Sequence, residues 1–488
     1  MTATAALPLP TRPLRISLPR TYASVLLPAV ALAIRLPHFG DPAFKIDEQF
    51  YLLVGDRLLH GALPYVDIWD RKPIGLFLIY AFAALFGQGF VAYQLLATTC
   101  AIGTMLCIFA IGRRVASDTA AILSSILYLL WLEVAEGGGG QAQVFYGLPV
   151  AAAAVLLLQP EDHFARSRSF AAMGLIGIAI QIKYTVLFEG AYFGLVVAYR
   201  ALRRDAARAS IEIILLATTA LAPTLLALGA YAAMAHLHDF WFANFTSIFL
   251  RGETPAADSR SHVATVALWL LPFMLCLAVS LWTLWRDPAA RRWQLFMIGW
   301  CGAACVGVAS LGLLYAHYLL PLFIPLTAAV APAFRRRPLG LVLATFCAWI
   351  PISQIDWHGR AATLHSQRQM AALGALIPAT VAQGCMQMFD GPPILYHLTN
   401  ACTVSRFIFP DHLSAAIEAH AIGIDPQREV RRILAVRPEI ITISDVYTRP
   451  PNPATFALMR AGLAAHYRLV GQSWVDERNI QVFRRRIE

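Results

Sequence analysis

The segment 38–89 brings carboxylates and cations together within a short stretch of chain. It contains the pair Asp47-Glu48 and, further on, the run Asp67-Ile68-Trp69-Asp70-Arg71-Lys72. A carboxylate held at a membrane surface can act as a general base on an acceptor hydroxyl, and nearby cations such as Arg71 and Lys72 can neutralise a phosphate leaving group. Base and cation in one loop therefore indicate group transfer from a phospholipid.

A purely structural interpretation of the same carboxylates is open as well. Asp often begins a helix, and a carboxylate such as Glu48 in the first turn is favoured by the helix dipole. Spacing alone does not choose between a general base at Asp47 and a helix start at Asp47.

Four further side chains are candidates for contacting a substrate. A lone lysine such as Lys183 would cost about 2.5–3.5 kcal/mol or more at the centre of a bilayer. We therefore place it at the outer membrane boundary or beside a polar cavity, where it either contacts a phosphate or extends its stem to the interface. His317 and Tyr318 either contact the substrate or form an ordinary interfacial belt. Arg251 either pairs with a phosphate or is simply solvated.

Several other kinds of site are not indicated. No Gly-Lys-Ser/Thr follows Gly137–Gly140, so this run is a flexible connector rather than a phosphate-binding loop. No spacing of His, Cys, Asp and Glu is typical of a metal site, and we expect catalysis without a metal or other cofactor. The net charge of +10 is spread over short clusters between apolar runs, which indicates membrane topology rather than nucleic-acid binding.

Membrane helices must position these residues. Of the 488 residues, 58% are apolar and 14% are charged, whereas a soluble protein carries roughly a quarter charged residues. No small-residue cleavage site follows the first apolar run, which we expect to remain as an anchor. Apolar runs about as long as a membrane helix lie at 22–37, 90–111, 210–234, 262–285 and 339–355.

Arginine clusters mark the loops that we expect on the cytoplasmic side. Because all these clusters lie on the same side, an even number of crossings must separate neighbouring clusters. The apolar runs meet this condition if 170–199 forms a hairpin of two short helices. About eleven transmembrane helices result, with the N-terminus inside, the C-terminus outside and 38–89 as the first outer loop. The run 73–87 is expected to lie at the interface, because a crossing there would invert every later loop. The clusters are Arg12 to Arg20, Arg113-Arg114, Arg166 to Arg168, Arg200 to Arg208, Arg286 to Arg292 and Arg335 to Arg337.

The chain changes character after residue 355. We expect an all-α polytopic membrane domain over residues 1–355 and a small α/β extracytoplasmic domain over residues 356–488. Cys385 and Cys402 lie in this outer, oxidising compartment and are expected to form a disulfide, the alternative being two buried free thiols. Alternation predicts strands at 394–397, 439–444 and 480–483, and helical periodicity predicts helices at 414–422, 426–436 and 453–466.

The first outer loop has a distinctive pattern of residues, namely Asp47-Glu48, Tyr51, Gly61, Pro64-Tyr65, Asp67, Asp70, Lys72-Pro73 and Phe86-Gly87. This pattern resembles that of GT-C glycosyltransferases of family 39, the bacterial relatives of dolichyl-phosphate-mannose protein mannosyltransferases and lipid A aminoarabinose transferase. Weaker similarity continues at Lys183-Tyr184, 316–321 and 405–410. The chain departs from the family pattern at Ile74, where a second proline is usual, and at Gln141 and Gln143, where a carboxylate often leads into the fourth helix.

The resemblance implies a GT-C fold and an inverting transferase that takes a sugar from a polyprenyl-phosphate carrier at the outer face of the bacterial inner membrane. Asp47 matches the family's catalytic acidic position, and Lys72 matches its phosphate-contacting lysine. The expected partners are the lipid-linked sugar, membrane lipids and an envelope acceptor that is a lipid, a glycan or a protein. We expect catalytic roles for Asp47 and Glu48 and substrate contacts from Tyr65, Asp67, Asp70, Arg71, Lys72, Lys183, Arg251, His317 and Tyr318.

Two other function classes compete with a transferase. Polytopic chains of this size are often transporters or lipid flippases, but such carriers tend to show internal repeats and broken helices at the midplane, and no repeat is evident. A non-catalytic assembly partner would keep the fold without the site. The joint presence of Asp47, Lys72 and Lys183 favours an enzyme.

Overall fold

The computed structural model describes residues 18–252, 256–285, 287–310, 315–335, 338–447, 449–475 and 477–486. The described chain is mostly helical, with one four-stranded sheet. Its helices and strands are α1 Leu18–Arg35, α2 Ile46–Leu59, α3 Ile74–Ala84, α4 Phe90–Gly112, α5 Asp118–Leu132, α6 Ala142–Leu157, α7 Ala165–Ile180, α8 Val186–Arg204, α9 Ala209–Ala233, α10 Leu237–Trp241, α11 Ala256–Leu284, α12 Pro288–Ala309, α13 Leu320–Val330, α14 Leu339–Gln354, α15 Gly359–Ala375, α16 Val381–Gly384, β1 Met386–Met388, α17 Leu395–Leu398, α18 Asp411–Ser414, α19 Pro426–Val436, β2 Ile440–Ser444, α20 Pro453–His466, β3 Tyr467–Val475 and β4 Arg478–Arg485.

Several of these helices are candidate membrane spans. The apolar runs predicted as helices coincide with α1, α4, α9, α11 and α14, and the predicted hairpin is formed by α7 and α8. A mostly helical chain with multiple candidate spans is therefore confirmed, while the count of about eleven crossings stays a prediction. Arg12, Arg15, Arg286, Arg336 and Arg337 of the predicted cytoplasmic clusters lie outside the described residues. Among the described residues, six segments are long and apolar enough to cross a membrane, namely Phe90–Gly112, Asp118–Gly137, Ala209–Ala233, Val263–Leu284, Ala316–Arg335 and Leu339–Ala375.

The chain forms two compact units. Unit 1 takes in the described residues of Met1–Leu36, Leu96–Leu225 and Ala256–Trp357; unit 2 takes in those of Pro37–Leu95, Leu226–Pro255 and His358–Glu488. The core of unit 1 is apolar, because every residue of α13 is buried and the Trp131 ring stacks on Phe323 with centroids 5.2 Å apart.

One buried ion pair interrupts the apolar interior of unit 1. Arg35, at the end of α1, is 1% exposed, and its Nε donates to Glu133 Oε1 at 2.8 Å. Its guanidinium also donates to the carbonyl of Gly137. A buried charge in a membrane protein requires such partners, so the pair fixes the end of α1 to the end of α5.

The sheet of unit 2 has the strand order β1-β2-β4-β3. β1 and β2 are parallel, and the β2–β4 and β4–β3 pairs are antiparallel. The strands predicted at 439–444 and 480–483 are confirmed as β2 and β4, and the helices predicted at 426–436 and 453–466 as α19 and α20. Both helices begin with a side-chain cap followed by proline: Asp425 accepts from Gln427 N at 2.9 Å, and Asn452 accepts from Ala454 N at 3.2 Å.

The strand predicted at 394–397 is wrong, since this segment lies in the helical turn α17. Leu395 N donates to Pro392 O at 3.1 Å, and Leu398 N donates to Ile394 O at 2.9 Å. The turn is held in place by the buried Tyr396, whose hydroxyl accepts from Met388 N of β1 at 2.8 Å. The alternation of apolar residues therefore reflects packing against β1 and not membership of the sheet.

The continuous helix predicted at 414–422 is also wrong. The chain is helical only at Asp411–Ser414 and, as a 3-10 turn, at Ala416–Glu418, with an extended Ala415 between them. The backbone here pairs with a distant segment: Ala416 N donates to Pro450 O at 2.9 Å, and Asn452 N donates to Ser414 O at 2.7 Å. These non-local bonds take the place of helical ones.

Part of segment 38–89 packs into the core of unit 2. Trp69 is 1% exposed and packs with Phe407, Leu413 and other apolar residues that follow residue 385. The predicted disulfide between Cys385 and Cys402 is confirmed. The helix α15 and the strands β1 and β3 were not predicted from the sequence.

Candidate functional site

Helix α2 carries the two adjacent carboxylates in its first turn. Close packing fixes this helix against α3, since a Cβ at Gly55 would lie 2.5 Å from the backbone of Tyr80 and Ala81. Glu48 is fully buried, whereas Asp47 is partly exposed. Of the two carboxylates, Asp47 is therefore the one accessible to a substrate.

The loop that leads to Lys72 is held by Tyr65. This residue has a left-handed backbone with φ of 70°, and its hydroxyl donates to the carbonyl of Lys72 at 2.7 Å. Its ring is fully buried and lies 5.4 Å from the ring of Tyr231. Tyr65 thus fixes the backbone of Lys72 and presents no exposed surface to a substrate. Lys72 Nζ lies 5.4 Å from the ring centroid of Tyr51, within the range of a cation–π contact.

Asp67 has a local structural contact. Its side chain is exposed, and Oδ2 accepts a hydrogen bond from Leu63 N at 2.7 Å. That bond closes the turn before Trp69.

Arg71 and Arg251 both bind the carboxylate of Glu418, which is 3% exposed. Arg71 makes two hydrogen bonds to Glu418, one of them from Nη1 to Oε1 at 3.1 Å, and its Nε donates to Ser247 Oγ at 2.7 Å. Arg251 Nε lies 3.0 Å from Oε1. Burial raises the pKa of Glu418, but the two guanidiniums outweigh it and lower the pKa to about 2. Two cations on one carboxylate leave a net positive charge.

Charge interactions connect Asp47 with other acidic groups of unit 2. Burial is the main reason that the pKa of Asp70 is raised; the charge of Asp47 raises it further, and Lys72 and Arg71 oppose it. Burial likewise raises the pKa of Asp411, again with a contribution from Asp47. Asp70 Oδ2 has no hydrogen-bond partner among the described residues.

His412 lies within the same charged region. Burial lowers the pKa of its imidazole well below the usual value, and the nearby cations Arg71 and Lys72 lower it further. The ring packs edge-on against Trp69, with centroids 4.6 Å apart. A neutral imidazole is therefore the form expected at pH 7.

Lys183, His317 and Tyr318 belong to unit 1, whereas all other candidate residues belong to unit 2. Lys183 lies in the turn between α7 and α8, and its Nζ is 4.8 Å from the ring centroid of Tyr318. His317 Nδ1 lies 2.8 Å from Glu136 Oε2. The backbone carbonyl of His317 accepts a hydrogen bond from Gln143 Nε2 at 2.7 Å.

A polar pocket in unit 1 contains Lys183. Its cavity volume is about 10 Å³, which is room for about one water molecule. Glu189, which is 2% exposed, accepts a hydrogen bond from Trp300 Nε1 at 2.6 Å. Lys183 therefore lies beside a polar cavity, one of the two positions expected from the sequence. The polar residues that line the pocket are Gln143, Tyr146, Lys183, Thr185, Glu189 and Tyr318.

Sequence reasoning did not nominate Glu418, Glu189 or His412. A signal was present for the two glutamates, because each stands among apolar residues and a charged side chain that is buried needs a partner. The identity of the partner had no sequence signal. Within the described ranges, no group of three or more His, Cys, Asp or Glu side chains is arranged to hold a metal ion.

The overall fold is similar to that of a known membrane transferase. The structure of ArnT from Cupriavidus metallidurans bound to undecaprenyl phosphate superposes with a TM-score of 0.60 at 14% identity, over 95% of this chain and 97% of ArnT. An archaeal oligosaccharyltransferase from Archaeoglobus fulgidus, in complex with zinc and sulfate, gives a TM-score of 0.42 at 10% identity, over 72% of this chain and 55% of that one. The sequence matches no protein-family model and no curated protein. The resemblance to GT-C glycosyltransferases is confirmed for the fold.

Proposed function

We propose that the chain, whose fold is similar to that of ArnT, is an inverting glycosyltransferase of the GT-C type. It moves a sugar from a polyprenyl-phosphate carrier to an acceptor of the cell envelope, which is a lipid, a glycan or a protein. The observation that carries the proposal is the combination, within unit 2, of the partly exposed Asp47 with the cations Lys72, Arg71 and Arg251.

Asp47 is the proposed general base. It takes the proton of the acceptor hydroxyl as the hydroxyl oxygen forms a bond to the anomeric carbon of the sugar. The bond between that carbon and the phosphate oxygen breaks, and the polyprenyl phosphate leaves with the electron pair. A single displacement from the opposite side inverts the anomeric carbon. Glu48 is fully buried in the same helical turn, and its proposed role is to shape the site beside Asp47.

The cations of unit 2 are the proposed binding groups for the leaving phosphate. Arg71 and Arg251 share one carboxylate and keep a net positive charge, and Lys72 adds a second positive charge on a backbone fixed by Tyr65. Charge-assisted hydrogen bonds from such groups stabilise a developing phosphate charge. Lys183, His317 and Tyr318 of unit 1 are proposed as further contacts with the substrate.

The proposed topology follows from the arginine clusters. Residues 1–355 form the membrane domain of the bacterial inner membrane, with the N-terminus in the cytoplasm. Residues 356–488 form the domain outside the cytoplasm, and the first outer loop, residues 38–89, lies on that same outer side. Transfer then occurs at the outer face, where a lipid-linked sugar and an envelope acceptor meet.

Deletion of the gene tests this function. Envelope glycans and lipid A of the deletion strain are compared with those of the parent by mass spectrometry, and the strain is complemented with the intact chain or with Asp47→Asn. We expect one glycan modification to be lost on deletion and restored only by the intact chain. An unchanged envelope, or full restoration by Asp47→Asn, would contradict the proposal. Accumulation of a lipid-linked precursor on the cytoplasmic side of the membrane would instead indicate a flippase.

A further inference from the structure

The connector formed by residues 237–250 of unit 2 is helical throughout. Helix α10, Leu237–Trp241, continues as a π-helical turn over Phe242–Thr246 and as a 3-10 turn over Ser247–Leu250. One face of the connector is buried in unit 2, and its residues follow the helical spacing i, i+3, i+4 and i+7. The residues of this buried face are Phe240, Ala243, Asn244 and Ser247.

Contacts with distant parts of unit 2 hold the buried face in place. The ring of Phe240 lies 5.6 Å from the ring of Tyr65. Ser247 Oγ accepts a hydrogen bond from Arg71 Nε at 2.7 Å. The connector therefore has a fixed orientation, and the same side chains always remain outside the core of unit 2.

The surface that the connector leaves outside is apolar. Phe249 is 85% exposed and Trp241 is 52% exposed. Single exposed apolar side chains are ordinary, but a contiguous group of them marks a contact surface. Among the exposed residues that the structure describes from 232 to 250, only His238 can carry a charge. The exposed large apolar residues of this stretch are Met234, Leu237, Trp241, Ile248, Phe249 and Leu250.

The chain that leads into α9 has the opposite character. Between α8 and α9, Asp205 and Arg208 are exposed, and charged side chains of this kind are typical of loops that lie in water beside a membrane. The acidic residue of the connector, Asp239, is instead paired within unit 2, where its Oδ1 lies 3.3 Å from Nη1 of Arg406. The connector is therefore not built as a loop surrounded by water.

The position of the connector in the chain indicates what covers its apolar surface. It joins two candidate membrane spans, Ala209–Ala233 and Val263–Leu284. A chain that leaves one span and enters the next begins and ends its connection at the same face of the bilayer. Tryptophan and other apolar rings at this level are typical of the boundary between lipid head groups and acyl chains. A lipid surface therefore fits this face of the connector.

We propose that the connector is an anchor in the membrane interface, with Phe249 and Trp241 inserted at the boundary between lipid head groups and acyl chains. Arg251 directly follows the connector, and Arg71 is bound to its buried face. The anchor therefore holds both arginines at the level of the lipid phosphates. This inference goes beyond the proposed function, because it concerns the lipid contact of the chain and not the reaction.

Photochemical crosslinking of the full-length chain in nanodiscs tests the proposal. The photoreactive residue p-benzoyl-L-phenylalanine replaces Phe249 in one variant and Trp241 in a second, and on irradiation its ketone forms a bond to a nearby C–H group. The nanodiscs contain phosphatidylethanolamine and phosphatidylglycerol without undecaprenyl phosphate. Peptides are analysed by mass spectrometry before and after alkaline hydrolysis of the lipid esters.

Trp474 provides a matched control for the replacement of Trp241. It is an exposed tryptophan of unit 2, 53% exposed against 52% for Trp241. It lies on β3, and Gln472 of the same strand face is an exposed polar residue. The same photoreactive residue is introduced there. Thermal unfolding of each variant checks that the fold is retained.

We expect Phe249 and Trp241 variants to gain the mass of a phospholipid, and to keep the mass of a fatty acid after hydrolysis, because the bond forms to an acyl chain. The Trp474 variant should gain neither. Lipid adducts in equal yield at Trp474, no lipid adducts at Phe249 and Trp241, or crosslinks there to a second copy of the chain would overturn the proposal. Sugar transfer is not needed for any of these results, so they are independent of the proposed function.

Discussion

Arg71 and Arg251 are held by the same oxygen of a buried carboxylate. Arg71 Nη1 lies 3.1 Å and Arg251 Nε lies 3.0 Å from Glu418 Oε1. Arg71 and Glu418 are 347 residues apart in the sequence. The contact fixes segment 38–89 and the segment before α11 to the C-terminal part of unit 2, and it orients both proposed phosphate-binding arginines.

Removing the charge of Glu418 should destabilise unit 2. In Glu418→Gln, two partly buried guanidiniums lose their counter-charge, and breaking a buried ion pair costs about 3–5 kcal/mol. Chemical unfolding in detergent measures the loss. As a control, Glu161→Gln removes the charge of a carboxylate that is 47% exposed and pairs with Arg200. This substitution should lower the free energy of unfolding by about 0–1 kcal/mol. Equal effects of the two substitutions would show that Glu418 does not stabilise the unit through its charge.

The stabilisation by Glu418 should depend on pH in the acidic range. Its pKa is about 2 in the folded chain against an ordinary value of 4.5. Because the folded pKa is lower, the contribution is complete above about pH 4.5 and is lost as the pH falls toward 2. Unfolding of the intact chain and of Glu418→Gln is compared across this range, and the difference should shrink by about 3 kcal/mol. A difference that stays constant with pH would contradict the ion pair.

Asp47→Asn should abolish sugar transfer while the chain stays folded. The amide keeps the size of the carboxylate but cannot accept a proton, and a general base contributes about 10²–10⁴-fold to the rate. Transfer is followed with the lipid-linked donor in reconstituted membranes, and folding is followed by thermal unfolding. Asp205→Asn, at an exposed position between α8 and α9, should leave the rate unchanged. Transfer by Asp47→Asn at the rate of the intact chain would remove Asp47 from the mechanism.

Reduction of the disulfide should lower the stability of unit 2. Cys385 and Cys402 close a loop with a sequence separation of 17, for which chain entropy predicts a loss of about 3 kcal/mol. The double variant Cys385→Ser with Cys402→Ser should unfold at a lower temperature than the intact chain. The unfolding temperature of this variant should not change when dithiothreitol is added. A change on adding the reductant would point to another disulfide.

The sequence determined the elements whose signals are local. The membrane helices are marked by uninterrupted apolar runs, and their bounds agree with the structure within a few residues at α4, α9 and α14. Helices α19 and α20 begin where Asp425-Pro426 and Asn452-Pro453 combine a capping side chain with a proline. The sequence left open whether Asp47 is a general base or the start of a helix, and the structure has it in the first turn of α2, where a carboxylate is stabilised by the helix dipole.

Only the tertiary structure decided the features that depend on distant partners. Segment 414–422 has a helical pattern, yet its backbone pairs with Pro450 and Asn452. The Glu418 carboxylate binds arginines from two distant segments, while Asp67 is used in a turn and Tyr65 in fixing Lys72. Sequence spacing specifies which residue types can meet within a helix or turn. Which carboxylate meets which cation across hundreds of residues is set by packing and by the need to satisfy every buried charge.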